Sequence, residues 1–327
     1  MLPQFKKIAA KLFQCIVFLR NKAYDLHLLT SHKFPIPVVS IGNIAVGGTG
    51  KTPLTRLLID DLGGESHIAI ISRGYKGQLE QSPAGVQICS GHGPLYGPKM
   101  TGDEPFWLAE KLPHTQIFVS KNRTSSARAA LRQGAKLLIL EDGMQHRTIA
   151  RDTEIVVLDA KDLFGKDAFL PLGRLRDSPK RLQEATLIVV NHCDTEAEYN
   201  SALNRIRTYS LAPVIGAKMR HTASPQKKVG LFCGIGTPER FISSLDAYEI
   251  VATLLVQDHE PIDAQTLTAF AEKCQTEGAS VLLCTEKDAV KLPKALKLSL
   301  PIIPVEAHLE IAFNKEAWEK LIRRIRP

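Results

Sequence analysis

Residues 45–53, AVGGTGKTP, set three glycines ahead of a Lys-Thr pair. They satisfy the relaxed phosphate-loop pattern of Ala or Gly, four residues, then Gly-Lys-Ser/Thr, with Ala45 standing where the strict form has glycine. Gly47, Gly48 and Gly50 let the backbone between Val46 and Thr49 turn its N–H groups towards phosphate oxygens. A helix opening near Pro53 would aim its positive dipole end at the same point. Lys51 has the reach to pair with β- and γ-phosphates, and the Thr52 hydroxyl can meet a Mg²⁺ ion. The plainer reading is a glycine turn with no ligand. It fits less well with a buried strand on one side and a helix on the other.

Such a site needs a carboxylate at the end of a neighbouring strand, within reach of the same metal. KLLILEDGMQH, residues 136–146, offers four apolar residues running into Glu141 and Asp142, then Gly143, Gln145 and His146. Two adjacent acids at a strand end could also form a solvated turn; beside a phosphate loop, metal coordination is the stronger reading. Two further fragments carry less. CGIGTPERF has Gly-x-Gly after a strand, but Glu239 stands where a dinucleotide fingerprint needs its third glycine. NHCD at 191–194 echoes the Asn-Lys-x-Asp base reader of GTPases, but His192 replaces the lysine, so strand-end polarity is preferred.

The elements that must hold these residues emerge from hydrophobic patterning. Short apolar runs at 38–42, 67–72, 116–120, 136–141, 154–159 and 186–191 alternate with helix-length segments. That is the pattern of a mainly parallel sheet with helices on both faces, whose strands are buried on both sides. A polar stretch at 220–228 interrupts the alternation before a second set of runs at 229–233, 249–254, 280–284 and 302–305. The expected organisation is an N-terminal helix over 1–29, a P-loop domain over 30–219, a linker at 220–228 and a smaller α/β domain over 229–327.

Composition narrows the function classes. With 327 residues, 44% of them hydrophobic, and a net charge of +8, the chain is an ordinary globular protein suited to an anionic partner. Its six cysteines form no C-x-x-C pair and read as reduced thiols, neither a disulfide framework nor a zinc site. No run approaches the roughly 18 apolar residues of a spanning helix. Near the N-terminus, however, Phe5, Ile8, Leu12, Cys15, Ile16, Leu19 and Leu26 recur at helical spacing, while Lys6, Lys7, Lys11, Arg20 and Lys22 precede the first acid, Asp25. This is the pattern of a basic amphipathic helix lying on an anionic membrane surface; the alternative is a helix packed on its own domain. Gln14 interrupts the apolar stretch and no cleavage site comes after it, which argues against a signal peptide. Nucleic acid is not expected as a partner, because no basic patch is interleaved with aromatic residues.

The motifs together resemble one family, the tetraacyldisaccharide 4′-kinases of lipid A biosynthesis. The resemblance runs through VVSIGNIAVGGTGKTP, SRGYKG, TGDEP, EDGMQHRTIARDTEIVVLDA, LPLGRLRD, GIGTPERF, QDH and TEKDAVK, in that order. It implies transfer of the γ-phosphoryl of ATP, with Mg²⁺, to the 4′-hydroxyl of a tetraacylated disaccharide 1-phosphate. The setting it implies is peripheral, on the cytoplasmic face of the bacterial inner membrane, and the expected state is a monomer. By the same resemblance Asp103 is the general base and His259 the residue that tunes it. Thr52, Asp142, Glu141 and Asp177 fall at or beside the metal, and Arg73, Tyr75, Arg123, Gln145 and His146 near phosphates or sugar. Two departures stand out: Glu141-Asp142 replaces a common Asp-Asp, and Arg176-Asp177 a common Arg-Glu, each changing reach by one methylene. On local sequence alone Asp103 reads as a helix cap. The competing functions are a P-loop ATPase or GTPase switch acting on a protein partner, and an ATPase that binds nucleic acid.

Overall fold

A computed structural model describes residues 2–63, 67–221, 228–236, 238–256, 262–292 and 296–326. Its strands in chain order are β1 (Val38–Gly42), β2 (Ile68–Ser72), β3 (Val86–Ser90), β4 (Gln116–Val119), β5 (Leu137–Glu141), β6 (Thr153–Asp159), β7 (Leu187–Asn191), β8 (Val214–His221), β9 (Lys228–Cys233), β10 (Glu249–Leu255), β11 (Val281–Thr285), β12 (Ile302–Val305) and β13 (Ala307–Phe313). The helices are α1 (Leu2–Asp25), α2 (Lys51–Leu62), α3 (Pro98–Thr101), α4 (Asp103–Lys111), α5 (Arg123–Arg132), α6 (Glu196–Ile206), α7 (Pro238–Ser243), α8 (Ala264–Thr276), α9 (Glu286–Lys291) and α10 (Lys315–Ile325).

The chain divides into two compact units, Met1–Met219 with Leu309–Pro327, and Arg220–His308. In the first, nine strands run in the order β13-β8-β7-β6-β1-β5-β2-β4-β3. From β8 to β4 the pairs are parallel, and β3 runs antiparallel to β4. The six apolar runs read from the first half of the sequence are the strands β1, β2, β4, β5, β6 and β7, and every residue in these strands is buried, as a sheet covered on both faces requires. β1 lies between β5 and β6, and its register sets Ile41 opposite Glu141. The chain leaving β1 therefore starts its loop beside the acids that end β5.

The second unit holds a parallel four-stranded sheet, β10-β9-β11-β12, with a separate apolar cluster containing Phe232, Leu267 and Cys284 on one side and another containing Leu231, Phe241 and Leu283 on the other. Its expected extent of 229–327 needs correction at the C-terminal end. β13 joins the nine-stranded sheet, and α10 packs on α2, where Trp318 Nε1 donates to Asp61 Oδ2 at 2.6 Å. The four-strand pattern ends at β12, and the chain then returns to the first core.

Candidate active site

The loop after β1 bends into α2 through two glycines in the left-handed region, Gly47 at φ +119° and Gly50 at φ +89°. A side chain at either would collide with polar neighbours: a Cβ on Gly47 would lie 1.8 Å from Arg174 Nη2, and one on Gly50 would lie 2.1 Å from Asn191 Nδ2. Gly48 is different, since a Cβ there would meet nothing within 4 Å. The loop is braced from behind. Val46 N–H donates to the Arg174 carbonyl at 2.8 Å, and Arg174 Nε donates to the Val46 carbonyl at 3.1 Å, beside the bridge from Ala45 to Leu175. Asn43 Nδ2 donates to Thr49 Oγ1 at 2.9 Å, and Asn191 Nδ2 donates to the Thr49 carbonyl at 3.0 Å. Residues 43–50 thus form a tied ring with an open face at Gly48. Lys51 and the buried Thr52 come next, at the start of α2.

Asp142 stands one residue past β5 with φ +48°, a conformation that few non-glycine residues adopt and that tends to occur at functional sites. Three cations hold it there. Arg176 grips its carboxylate in a two-pronged contact, with Nη1 donating to Oδ2 at 2.9 Å and Nη2 donating to Oδ1. Lys51 Nζ lies 3.5 Å from Oδ1, and Arg123 Nη1 donates to the Asp142 carbonyl at 2.8 Å. Burial works against the charge, but Lys51 and Arg176 hold the carboxyl well below the usual carboxylate range. The neighbouring acid behaves oppositely. Burial, with Glu104 and Asp142 close by, pushes Glu141 up to about 7; Ser72 Oγ donates to its Oε2 at 3.1 Å, and its buried Oε1 has no hydrogen-bond partner. A strand-end pair in the sequence is therefore two groups with distinct protonation.

Gln145 Nε2 donates to the Asn43 carbonyl at 2.8 Å. The His146 ring contacts Thr148 Oγ1 through Nε2 at 2.7 Å and is kept neutral, its pKa lowered to about 3 by burial and by Arg123, Arg151 and Arg73. Arg73 Nε donates to Glu80 Oε1 at 2.6 Å, and its guanidinium lies 5.7 Å from the centre of the exposed Tyr75 ring. Asp103 is the first residue of α4, and the capping position is taken by Gly102 at φ +88°, so the local reading of Asp103 as the cap residue is corrected. His259 lies outside the described residues.

Asp177 is tied to α1, and its buried Oδ2 has no hydrogen-bond partner. It is 1% exposed, and its Oδ1 accepts from Asn21 Nδ2 of α1 at 2.8 Å and from Ser178 N–H at 2.9 Å, while Arg20 Nη2 lies 3.6 Å from Oδ2. Sequence reasoning passed over Asn43 and the clamp made by Arg176, and it discounted Asn191. Asn43 and Asn191 are polar residues at or next to the end of an apolar run, a signal indistinguishable from ordinary strand-end polarity, and Arg176 lies in a loop whose partner Asp142 is 34 residues away.

Mg²⁺ bound beside a nucleotide takes one or two carboxylates, a hydroxyl and phosphate oxygens. The Thr52 hydroxyl, Asp142 and the unpartnered Oε1 of Glu141 are donors of that kind, so the residues present fit the ion.

A strand–glycine loop–helix cradle, with Lys-Thr at the helix start and a clamped aspartate at the end of the adjacent strand, defines a P-loop phosphate-binding protein built on a mainly parallel α/β sheet. Over residues 5–326 the sequence matches the model of the tetraacyldisaccharide-1-P 4′-kinase family, and the chain belongs to that family. It is 36% identical over 312 residues to the tetraacyldisaccharide 4′-kinase of Chlamydia pneumoniae, covering 90% of this chain and 83% of that one. It is 35% identical to the Anaeromyxobacter dehalogenans enzyme of the same name, over 91% of this chain and 84% of the other. Among solved structures it resembles LpxK from Aquifex aeolicus in complex with ATP, with a TM-score of 0.79, 26% identity and full coverage of both chains.

Proposed function

We propose that this site transfers the γ-phosphoryl of ATP to the 4′-hydroxyl of a tetraacyldisaccharide 1-phosphate, as the family's name describes. The observation that carries the reading is the open phosphate cradle at Gly48, set against Lys51 and the clamped Asp142, in a chain that matches this kinase family over residues 5–326. Lys51 trades its Asp142 contact for the β- and γ-phosphate oxygens and stabilises charge on the migrating group. Thr52, Asp142 and Glu141 would hold Mg²⁺, which when bound neutralises phosphate charge. Asp142 is held ionised by Lys51 and Arg176, whereas burial and the neighbouring acids favour the protonated form of Glu141.

A sugar hydroxyl is a weak nucleophile, so a carboxylate that accepts its proton as the P–O bond forms is worth about 10²- to 10⁴-fold. Asp103 is assigned that role and His259 the tuning of it. Arg73, Tyr75, Arg123, Gln145 and His146 are assigned to the acceptor and phosphate side; the neutral His146 ring can donate or accept a hydrogen bond there without adding charge.

α1 supports a peripheral membrane setting. Ala10 and Val17 pack it on the first unit's core, while Phe5, Ile8, Leu12, Ile16 and Leu19 stay exposed along its other side. No helix among the described residues is long and apolar enough to cross a membrane. The assigned location is the cytoplasmic face of the inner membrane, as a monomer. The rival reading, a nucleotide switch or ATPase serving a protein partner, predicts ADP release without an acceptor. Measuring ADP release from purified protein with and without tetraacyldisaccharide 1-phosphate decides between them: strict acceptor dependence supports the kinase, and equal turnover without acceptor overturns it.

A further inference from the structure

The last turns of α1 touch the first unit at two points, each one residue away from a residue of the nucleotide site. At the first, Asn21 Nδ2 donates to Asp177 Oδ1 at 2.8 Å, and Asp177 is fixed to the chain leaving β1 by its own N–H, which donates to the Ile44 carbonyl at 3.0 Å. The preceding residue is Arg176, whose N–H donates to that same carbonyl at 2.8 Å and whose guanidinium grips Asp142 and contacts Asn43 Oδ1. At the second, Arg147 donates from Nη1 to the Asn21 carbonyl at 2.9 Å and from Nη2 to Asp25 Oδ1 at 2.8 Å, and its guanidinium lies 5.1 Å from the Tyr24 ring centre. Arg147 comes directly after Gln145 and His146, and Gln145 donates to the Asn43 carbonyl. Both routes converge on Asn43, and the first also reaches Asp142.

Asn21 is 7% exposed, on a docking face otherwise made by Ala10, Phe13 and Val17. For anchoring alone, an apolar side chain would serve at lower desolvation cost; a buried amide there fixes a particular partner in a particular register. We infer that Asn21 is a positioning residue for the nucleotide site: through Asp177 it sets Arg176, and through Arg176 the Asp142 carboxylate, so that the order of the phosphate-loop carboxylate depends on the seating of the same helix whose other face is exposed and apolar. Asp177 on this account is a strut between α1 and the site. The inference rests on the nucleotide-binding reading of the loop.

The test uses full-length protein in detergent, with a fluorescent ATP analogue titrated at several Mg²⁺ concentrations and transfer measured alongside. Asn21→Leu keeps the branched shape of the side chain and the apolar docking of α1 but removes the amide donor to Asp177, leaving the Arg20 contact with Asp177 Oδ2 in place. Expected are unchanged vesicle flotation and acceptor KM and a melting temperature lowered only by the loss of one buried hydrogen bond, with analogue affinity in Mg²⁺ and KM for ATP each worsened at least tenfold. Should the leucine variant not fold, Asn21→Ser carries the same expectation. The exchange Asn21→Asp with Asp177→Asn rebuilds the hydrogen bond with donor and acceptor reversed and is expected to recover most of the loss. Normal nucleotide affinity in the leucine or serine variant, or an exchange variant as impaired as Asp177→Ala alone, would overturn the inference and return Asp177 to the metal. If wild-type protein binds the analogue but fails to phosphorylate the acceptor, the acceptor reading fails while the Asn21 comparison still decides this one.

Discussion

Replacing Leu12 and Ile16 together by glutamine tests the membrane role of α1 while leaving its docking face alone. Leu12 is 62% exposed and Ile16 56%, so neither contributes much to the folded core, whereas Val17 on the docked side is 5% exposed. Fully burying a leucine or isoleucine side chain is worth about 1.5–3 kcal/mol, so a side chain with a little over half its surface still available brings roughly 1–1.5 kcal/mol to a lipid surface. Losing both removes roughly 2–3 kcal/mol, which is about 30- to 150-fold in vesicle partitioning. The assay is co-flotation with vesicles containing anionic lipid, run beside thermal unfolding. The double variant should stay in the soluble fraction at vesicle concentrations that float wild type, with a melting temperature changed by no more than a degree or two. Charge reversal of Lys6, Lys7 and Lys11 to glutamate should weaken flotation by about 1 kcal/mol per residue at low salt and less at high salt. Unchanged flotation of Leu12→Gln/Ile16→Gln would refute the lipid-facing role. A large fall in melting temperature would show that the exposed face is packed in solution. Deleting the helix outright is a poorer test, because Asn21 leaves with it.

The site itself makes three other outcomes testable. Gly48→Ala should fold as well as wild type, within about 0.5 kcal/mol, yet bind ATP at least tenfold more weakly, because a Cβ there meets no protein atom within 4 Å and points into the open face; Gly50→Ala, at φ +89° and 2.1 Å from Asn191 Nδ2, should instead lose stability; equal ATP affinity in Gly48→Ala would remove the phosphates from that face. For His146, whose folded pKa of about 3 lies below the unfolded 6.5, the unfolded chain takes up a proton that the native ring refuses as pH falls below 6.5. Wild type should therefore lose roughly 1 kcal/mol relative to His146→Gln between pH 7 and 5.5 in urea unfolding, and parallel pH profiles would show that the ring is not desolvated. Asp103→Ala, His259→Ala and their combination should lose transfer non-additively while nucleotide affinity stays near wild type; additive losses, or normal turnover in His259→Ala, would break the dyad.

The sequence was informative where a residue's partner lies nearby in the chain or where its role depends on a single strand. The phosphate loop needed only glycine spacing and a strand before it. β5 could be read from four apolar residues, and with it the position of Glu141 and Asp142. What separates those two acids was not legible: Glu141 still belongs to the strand and points among buried groups beside Ser72, while Asp142 has turned to φ +48° and meets Lys51 and Arg176. A partner of Asp177 lies 156 residues away in α1, so that contact could not be read from the sequence. β13 was missed for a similar reason, since its pairing is with a strand of the first sheet, across an intervening unit of nearly ninety residues.

The central claim is transfer to one hydroxyl of one acceptor. Purified protein given γ-labelled ATP, Mg²⁺ and tetraacyldisaccharide 1-phosphate, with product analysed by mass spectrometry and phosphorus NMR, should yield a bisphosphate labelled at the 4′ position, and Lys51→Ala should yield none while remaining folded. Label appearing only as free phosphate, label at another position of the disaccharide, or a Lys51→Ala protein within a few-fold of wild type would contradict the account.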